Sequence, residues 1–217
     1  MAAEVVNALQ IVLRQPVDIS VAGRTDRGVH ALGQVVSYHG PLPRLRSVNA
    51  VLPREIVVLS AEEAPEGFSA RHDATSRTYR YRILARRTPS AFERGKALWW
   101  PHRFDEDALH ACAAALPGTH DFTAFTPTQT YHQRFERTVL RAGWTREGDV
   151  LTFEIEAKSF MRNMNRILVG TMLEVAQGRR DDFAKLLEGA PRSDAGDTAA
   201  PHGLYLTSVS YIKGQSL

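Results

Sequence analysis

The chain has 217 residues, one cysteine and a formal net charge of +3, from 27 Lys plus Arg against 24 Asp plus Glu. One cysteine excludes an intramolecular disulfide and a multi-cysteine zinc site, and 43% hydrophobic against 24% charged residues excludes a disordered chain. No apolar run reaches the roughly 18 residues of a membrane helix, and Met1-Ala2-Ala3-Glu4 lacks the basic flank of a signal peptide, so a cytoplasmic protein of one large or two small domains is expected.

In chain order, Val5, Leu9, Val12 and Leu13 recur at helical spacing and predict a helix over 2–13. A short buried strand follows over 17–22, then a polar, glycine-bearing stretch over 22–31 and a strand over 34–38. A Pro-bounded segment covers 41–53, and Ile56 to Leu59 reads as an apolar strand. Further on come a long strand over 75–85, a helix over 105–116, and a hairpin over 138–157 that turns at Glu147-Gly148-Asp149. Ser159 is placed to cap a helix from Phe160 to Gln177 that Gly178 ends. A second helix is expected near 180–188, a flexible loop over 189–203, and a closing strand over 203–212. The pattern is α+β, with a boundary near residue 100 that separates an N-terminal half (1–100) carrying the polar loop from a C-terminal half (101–217).

The modest net charge conceals segregation. Residues 71–103 carry +7 and 158–180 carry +4, while 104–157 carry −5 between them. Two basic blocks flanking an acidic one fit a polyanion-binding face, and arginine, which supplies 23 of the 27 cations, suits phosphates and base edges.

Three groups of residues could carry chemistry. In Ala22-Gly23-Arg24-Thr25-Asp26-Arg27-Gly28-Val29-His30-Ala31, Asp26 is either a turn residue paired with a neighbouring arginine or a reagent. With an ordinary pKa of about 3.9 it would act as nucleophile or general base, not as an acid. The strand Arg77-Thr78-Tyr79-Arg80-Tyr81-Arg82 puts 77, 79 and 81 on one face. That face either stacks unpaired bases and holds phosphates or is an ordinary half-buried strand. On the helix from Phe160, one apolar stripe is Phe160, Met164, Ile167, Thr171 and Val175, and a second begins with Arg162 and Arg166. Arg166 either faces an anion, such as Asp26 or a phosphate, or snorkels past the core to solvent. No H-E-x-x-H, phosphate-loop or dinucleotide motif occurs, and Cys112 among alanines reads as a core residue.

The stretch A-G-R-T-D-R-G-V-H-A (22–31) resembles the tRNA pseudouridine synthase A family. Further resembling segments follow in order: V-N-A-V-L-P (48–53), F-S-A-R-H (68–72), R-T-Y-R-Y (77–81), D-F-T-A-F (121–125), F-M-R-N-M-N-R-I-L-V-G (160–170) and A-G-D-T-A-A-P-H-G-L-Y-L (195–206). Together they cover nearly the whole chain. The resemblance implies two ferredoxin-like, RRM-like sheet-and-helix halves with adjoining, mainly antiparallel sheets around a central cleft. It implies a homodimer that converts uridine to pseudouridine in the anticodon stem-loop of tRNA, typically at positions 38 to 40, with no cofactor and no metal.

On the matched positions Asp26 is the catalytic aspartate and Arg166 its partner. Tyr79 is the active-site tyrosine that stacks on the target, Arg24 the arginine that helps extrude it, and Leu204 an apolar wall. Thr25, Asn49, Arg71 and Arg77 join the expected substrate contacts. Family members usually begin with a strand and loop bearing a Y-D-G-x-x-[FY]-x-G-W-Q-like motif, which this sequence lacks. The expectation is a first sheet short of one strand, from a start codon placed downstream or from a shortened form. Two rival readings remain at this point: a non-catalytic RNA binder, and a carboxylate-dependent nucleoside hydrolase that would release free uracil.

Overall fold

The structure, a computed structural model, describes residues 1–212. Its order is α1 (Ala2–Leu13), β1 (Ile19–Val21), β2 (His30–Ala31), β3 (Val36–Tyr38), α2 (Leu45–Val51), β4 (Ser76–Leu84), β5 (Leu98–Trp99), α3 (Glu106–Ala114), β6 (Gly118–Asp121), β7 (Glu136–Glu147), β8 (Val150–Ala157), α4 (Met164–Ala176) and β9 (Leu204–Ser210). Short 3-10 turns fill gaps at Thr123–Phe125, Phe183–Leu187, Arg192–Asp194 and Pro201–Gly203. The α+β class is therefore as the sequence reads, with both parallel and antiparallel pairing. No helix among the described residues is long and apolar enough to cross a membrane.

The chain forms two compact units that interleave along the sequence. One comprises Met1–Arg24, Gln34–Thr75 and the chain from Val209; the other comprises Thr25–Gly33 and Ser76–Ser208.

In the first unit, β1 and β3 pair antiparallel. The apolar stripe of α1 buries Val5, Ala8 and Leu9 against Val17, Val48 and Leu52. The strand expected over Ile56 to Leu59 does not form. Val58 instead gives its N–H to Asn49 Oδ1 at 2.8 Å, and its carbonyl accepts from Asn49 Nδ2 at 2.9 Å. A side-chain amide thus takes the place of a neighbouring strand, satisfying the backbone without a ladder.

In the second unit the sheet runs β2-β9-β4-β8-β7-β6, with β5 also on β4. The β7–β8 hairpin turns at Gly148-Asp149, with Gly148 at φ +57. Register puts Tyr81 opposite Phe153 and Phe153 opposite Trp144, so one face of three strands is aromatic and buried. The opposite face carries Glu154 and Glu156 under Arg141. Asp105 caps α3 by accepting from the N–H groups of Asp107 and Ala108.

Helix α4 departs from expectation at its start. Arg162 and Asn163 form a turn in which Met164 N–H donates to the Met161 carbonyl at 3.2 Å, Ser159 does not cap, and the helix begins at Met164 behind Asn163, which sits at φ +60. Asparagine is among the few non-glycine residues that tolerate this left-handed conformation. The C-terminal end follows expectation: Gly178 (φ +68) and Arg179 donate back to Val175 and Glu174 in a Schellman arrangement. The helix is central, with Met164, Ile167, Leu168, Met172 and Leu173 all buried. The helix expected near 180–188 is a 3-10 turn over Phe183–Leu187.

The segment expected to be a flexible loop, 189–203, is fastened along α4 instead. Gly196 N–H donates to Thr171 Oγ1 (2.9 Å), Asp197 N–H to Glu174 Oε1 (2.8 Å), and Ala199 N–H to the Arg166 carbonyl (3.1 Å). Glycines on both sides permit the close approach: a Cβ on Gly170 of α4 would fall 1.8 Å from the Asp197 carbonyl oxygen, and one on Gly196 of the segment 2.8 Å from the Glu174 carboxyl carbon.

Candidate active site

Asp26, Tyr79 and Arg166 all belong to the second unit. Asp26 opens a turn in which its carbonyl accepts from Val29 N–H at 3.0 Å, with Gly28 at φ +86 completing the reversal. The turn is anchored downstream, where β2 pairs in parallel with β9 and Leu32 N–H donates to the Leu206 carbonyl at 2.8 Å. It also lies against the Pro201–Gly203 turn, because a Cβ on Gly28 would approach Pro201 Cγ to 3.1 Å. The strain-tolerant glycine thus sits two residues after the carboxylate, where the chain turns and packs closely at once.

Arg166 lies on the first turn of α4 with its fork already oriented. Nε donates to the Ala199 carbonyl at 2.7 Å, and Nη1 donates to Asn163 Oδ1 at 3.2 Å. The same Nη1 stands 3.6 Å from Asp26 Oδ2. The arginine side chain is 17% exposed and the aspartate 40%, so the cation is mostly enclosed while the carboxylate remains open to a ligand. Of the two anions that the sequence offers Arg166, Asp26 lies within ion-pair reach.

Tyr79 stands in β4 on the face that the strand alternation assigns it, buried to 7% exposure and edge-on to Phe160 at 5.0 Å between centroids. Burial pushes its phenol up to about 12. The Arg77 guanidinium pulls it back and the Asp26 carboxylate raises it further, so the two site residues lie within electrostatic reach. The hydroxyl is therefore a proton-bearing donor throughout the physiological range. Tyr81, two residues on, donates to the Ala200 carbonyl at 2.7 Å and packs under Gly203, which has no room for a side chain. Burial raises its phenol as well, opposed by Arg166. Leu204 is buried at the start of β9. Thr25 is half-buried, and Arg77 Nη1 donates to the Lys158 carbonyl at 3.0 Å.

Arg24, Asn49 and Arg71 belong to the first unit. Arg24 and Arg71 are exposed, and the Asn49 amide is engaged by Val58.

Residues to which the sequence reading gave no role in the site complete it. Asn163 fixes the Arg166 fork, Phe160 walls Tyr79, and the carbonyl of Ala199 holds Arg166 Nε. An Asn three positions before an Arg at a helix start is a readable signal for the first. A backbone carbonyl contributed by a loop has none. Among the described residues no group of three or more His, Cys, Asp or Glu side chains could hold a metal ion. A concavity of about 570 Å³ lined by Trp100, His102, Arg103, Gln177 and Arg179 contains none of these residues.

Chemically, the arrangement offers an accessible carboxylate with a fixed cation beside it, a protonated phenol, and an aromatic pair. It is suited to a reaction run by one carboxylate on a planar substrate.

The sequence model of the tRNA pseudouridine synthase family matches residues 112–212, a span that includes Arg166 and Leu204. Over nearly the whole chain there are relatives named tRNA pseudouridine synthase A. That of Bacillus pumilus (strain SAFR-032) is 40% identical over 202 residues, covering 90% of this chain and 82% of its own. That of Bacillus subtilis (strain 168) is 40% identical over 197 residues, covering 88% and 80%. That of Caulobacter vibrioides (strain NA1000 / CB15N) is 41% identical over 207 residues, covering 91% and 83%. With this much identity over this much of both chains, the protein belongs to the tRNA pseudouridine synthase A family.

Proposed function

We propose that this protein isomerises uridine to pseudouridine in the anticodon stem-loop of tRNA, at positions 38 to 40, in the cytoplasm and as a homodimer, with Asp26 as the reacting carboxylate. The observation that carries the reading is the 3.6 Å approach of Arg166 Nη1 to Asp26 Oδ2, next to the buried Tyr79, in a chain of this family.

The reaction breaks the C1′–N1 bond, turns the uracil, and joins C1′ to C5. The C5 proton is lost to a base, and N1 ends protonated, so product and substrate are isomers. Asp26 either takes a proton from the sugar to open a glycal route or bonds to sugar or base in an adduct. Both routes ask the same of the protein: an ionised, oriented carboxylate within reach of a base that has left its stack. Arg166 supplies orientation and a fixed positive charge 3.6 Å from the carboxylate. Extruding a paired uridine costs a few kcal/mol, offset by stacking on Tyr79 and by arginine contacts to phosphates. Arg24, Thr25, Asn49, Arg71, Arg77 and Leu204 are assigned to holding the substrate. Arg77 and Arg71 fall within the +7 block of residues 71–103.

The test is incubation with an unmodified tRNA transcript, followed by carbodiimide labelling and primer extension across the anticodon stem-loop. Stops at positions 38 to 40 are expected. Release of free uracil, or tRNA binding with no stop anywhere, would overturn the reading.

A further inference from the structure

We propose that Tyr131 is a stacking platform for an unpaired nucleotide of the tRNA, joined through His132 and Arg162 to the turn that presents Arg166. The proposal rests on the functional reading above and adds a substrate contact to it. Tyr131 lies in the segment between the Thr123–Phe125 turn and β7, and the residue is 75% exposed. Solitary exposed aromatics are common, so exposure alone decides nothing.

Here the ring is held. It packs on His132 at 4.4 Å between centroids with 38° between planes. His132 is itself tied at two points: its N–H donates to Thr130 Oγ1 (3.2 Å), and its Nε2 accepts from the Arg162 N–H (3.3 Å). That second bond requires Nε2 without a proton. Burial, and then the charge of Arg137, lower the His132 pKa below its usual value and favour that form. A pre-oriented aromatic face loses little conformational freedom when a base lands on it.

The charge around the ring names the occupant. Arg134 and Arg162 are exposed, and neither forms an ion pair among the described residues. Arg137 is partly buried, with Nη1 on the carbonyls of Arg134 and Glu136. An exposed ring whose neighbour His132 is bonded to the Arg162 backbone, with Arg134 three residues further along the chain, offers what a single-stranded nucleotide needs, a ring for the base and cations for the phosphates. Four residues beyond Arg162 comes Arg166, the partner of Asp26, so an occupied platform braces the turn that sets the Arg166 fork.

The experiment measures affinity of the full chain for an anticodon stem-loop RNA across a salt series, with 2-aminopurine beside the target uridine as a stacking probe. Tyr131→Ala should weaken binding about tenfold or more and relieve quenching of the probe. Tyr131→Phe, which keeps the ring, should bind within about twofold of the parent. Arg162→Ala should lower the salt slope by about one, which Tyr131→Ala should not do. Binding by Tyr131→Ala within twofold of the parent overturns the proposal. So does a halving of mass in light scattering for Tyr131→Ala, which would make this face a contact between protein chains. Pseudouridine formation by the parent is scored separately, so a parent that binds RNA and makes no product overturns the functional reading and not the platform.

Discussion

Arg166 is held by the loop that follows its own helix: Nε donates to the Ala199 carbonyl at 2.7 Å, and the Arg166 carbonyl receives the Ala199 N–H at 3.1 Å. This reciprocal pair locks the arginine before any substrate arrives, so its Nη1 meets Asp26 at no further conformational cost. Arg166→Lys keeps a charge but cannot donate to both Ala199 and Asn163 while facing Asp26. The expected result is a fall in turnover on the order of 100-fold, with tRNA affinity within a few-fold. Single-turnover rates at saturating enzyme check it, and a lysine variant of parental rate would remove the fork from the mechanism.

Gly170 lets that loop approach. A methyl there would stand 1.8 Å from the Asp197 carbonyl oxygen and 3.3 Å from the Ala199 nitrogen, both backbone atoms that cannot swing aside. Gly170→Ala should cost about 1–3 kcal/mol, a Tm lower by roughly 3–10 °C. Activity should fall further than the unfolded fraction explains, because Ala199 moves with the loop. Thermal denaturation and turnover at a temperature where both proteins are folded separate the two effects.

Glu174 fastens the same loop, taking the Asp197 N–H at 2.8 Å and Arg180 Nε at 2.5 Å. Burial opposes ionisation, but the two donors prevail and the carboxyl titrates below its ordinary 4.5. The native state therefore binds fewer protons than the unfolded chain below that value, so this stability is present above pH 4.5 and lost as pH falls through the depressed pKa. Glu174→Gln should cost roughly 1–3 kcal/mol at neutral pH and flatten the acid limb of a stability–pH curve. An unchanged acid limb would contradict the assignment.

Tyr79 has the opposite sign. Its phenol, raised by burial from 10.0 to about 12, holds its proton more tightly when folded. The corresponding stability is intact below pH 10 and declines as pH rises toward 12. Tyr79→Phe should shallow that decline, leaving the share due to Tyr81, and should keep RNA affinity near the parent's. Tyr79→Ala should cost about 3–5 kcal/mol in stability and weaken RNA binding more than Tyr79→Phe. Equal binding by the two would count against stacking.

Much of this architecture is legible because local signals and tertiary demand coincide. Helix α1 spans the residues that its stripe of Val5 and Leu9 marks, and the β7–β8 hairpin turns at Gly148-Asp149 as its glycine implies. Where they diverge, a non-local partner or an unusual backbone conformation has intervened. Ile56 to Leu59 have strand composition, but Val58 bonds to the Asn49 amide instead of to a strand. Phe160 and Met164 keep helical spacing across a break that Asn163 makes by adopting φ +60. The loop over 189–203 reads as flexible from its glycines and prolines, yet its backbone is bonded to Thr171, Glu174 and Arg166. In the site, charge and alternation mark Asp26, Tyr79 and Arg166 as candidates, each with a structural alternative, and it is the family resemblance that assigns them roles. Ala199 is not marked, since its contribution is a carbonyl that every residue possesses.

Asp26 is proposed as the reacting carboxylate. Tritium release from a tRNA transcript labelled at uridine C5 tests it most directly, comparing the parent with Asp26→Asn at enzyme concentrations where both saturate the RNA. The substitution is isosteric at a site that is 40% exposed, so folding should be unaffected. Release by the parent and none above background by Asp26→Asn is expected, with tRNA affinities within a few-fold. Release by Asp26→Asn at a rate comparable to the parent's would contradict it.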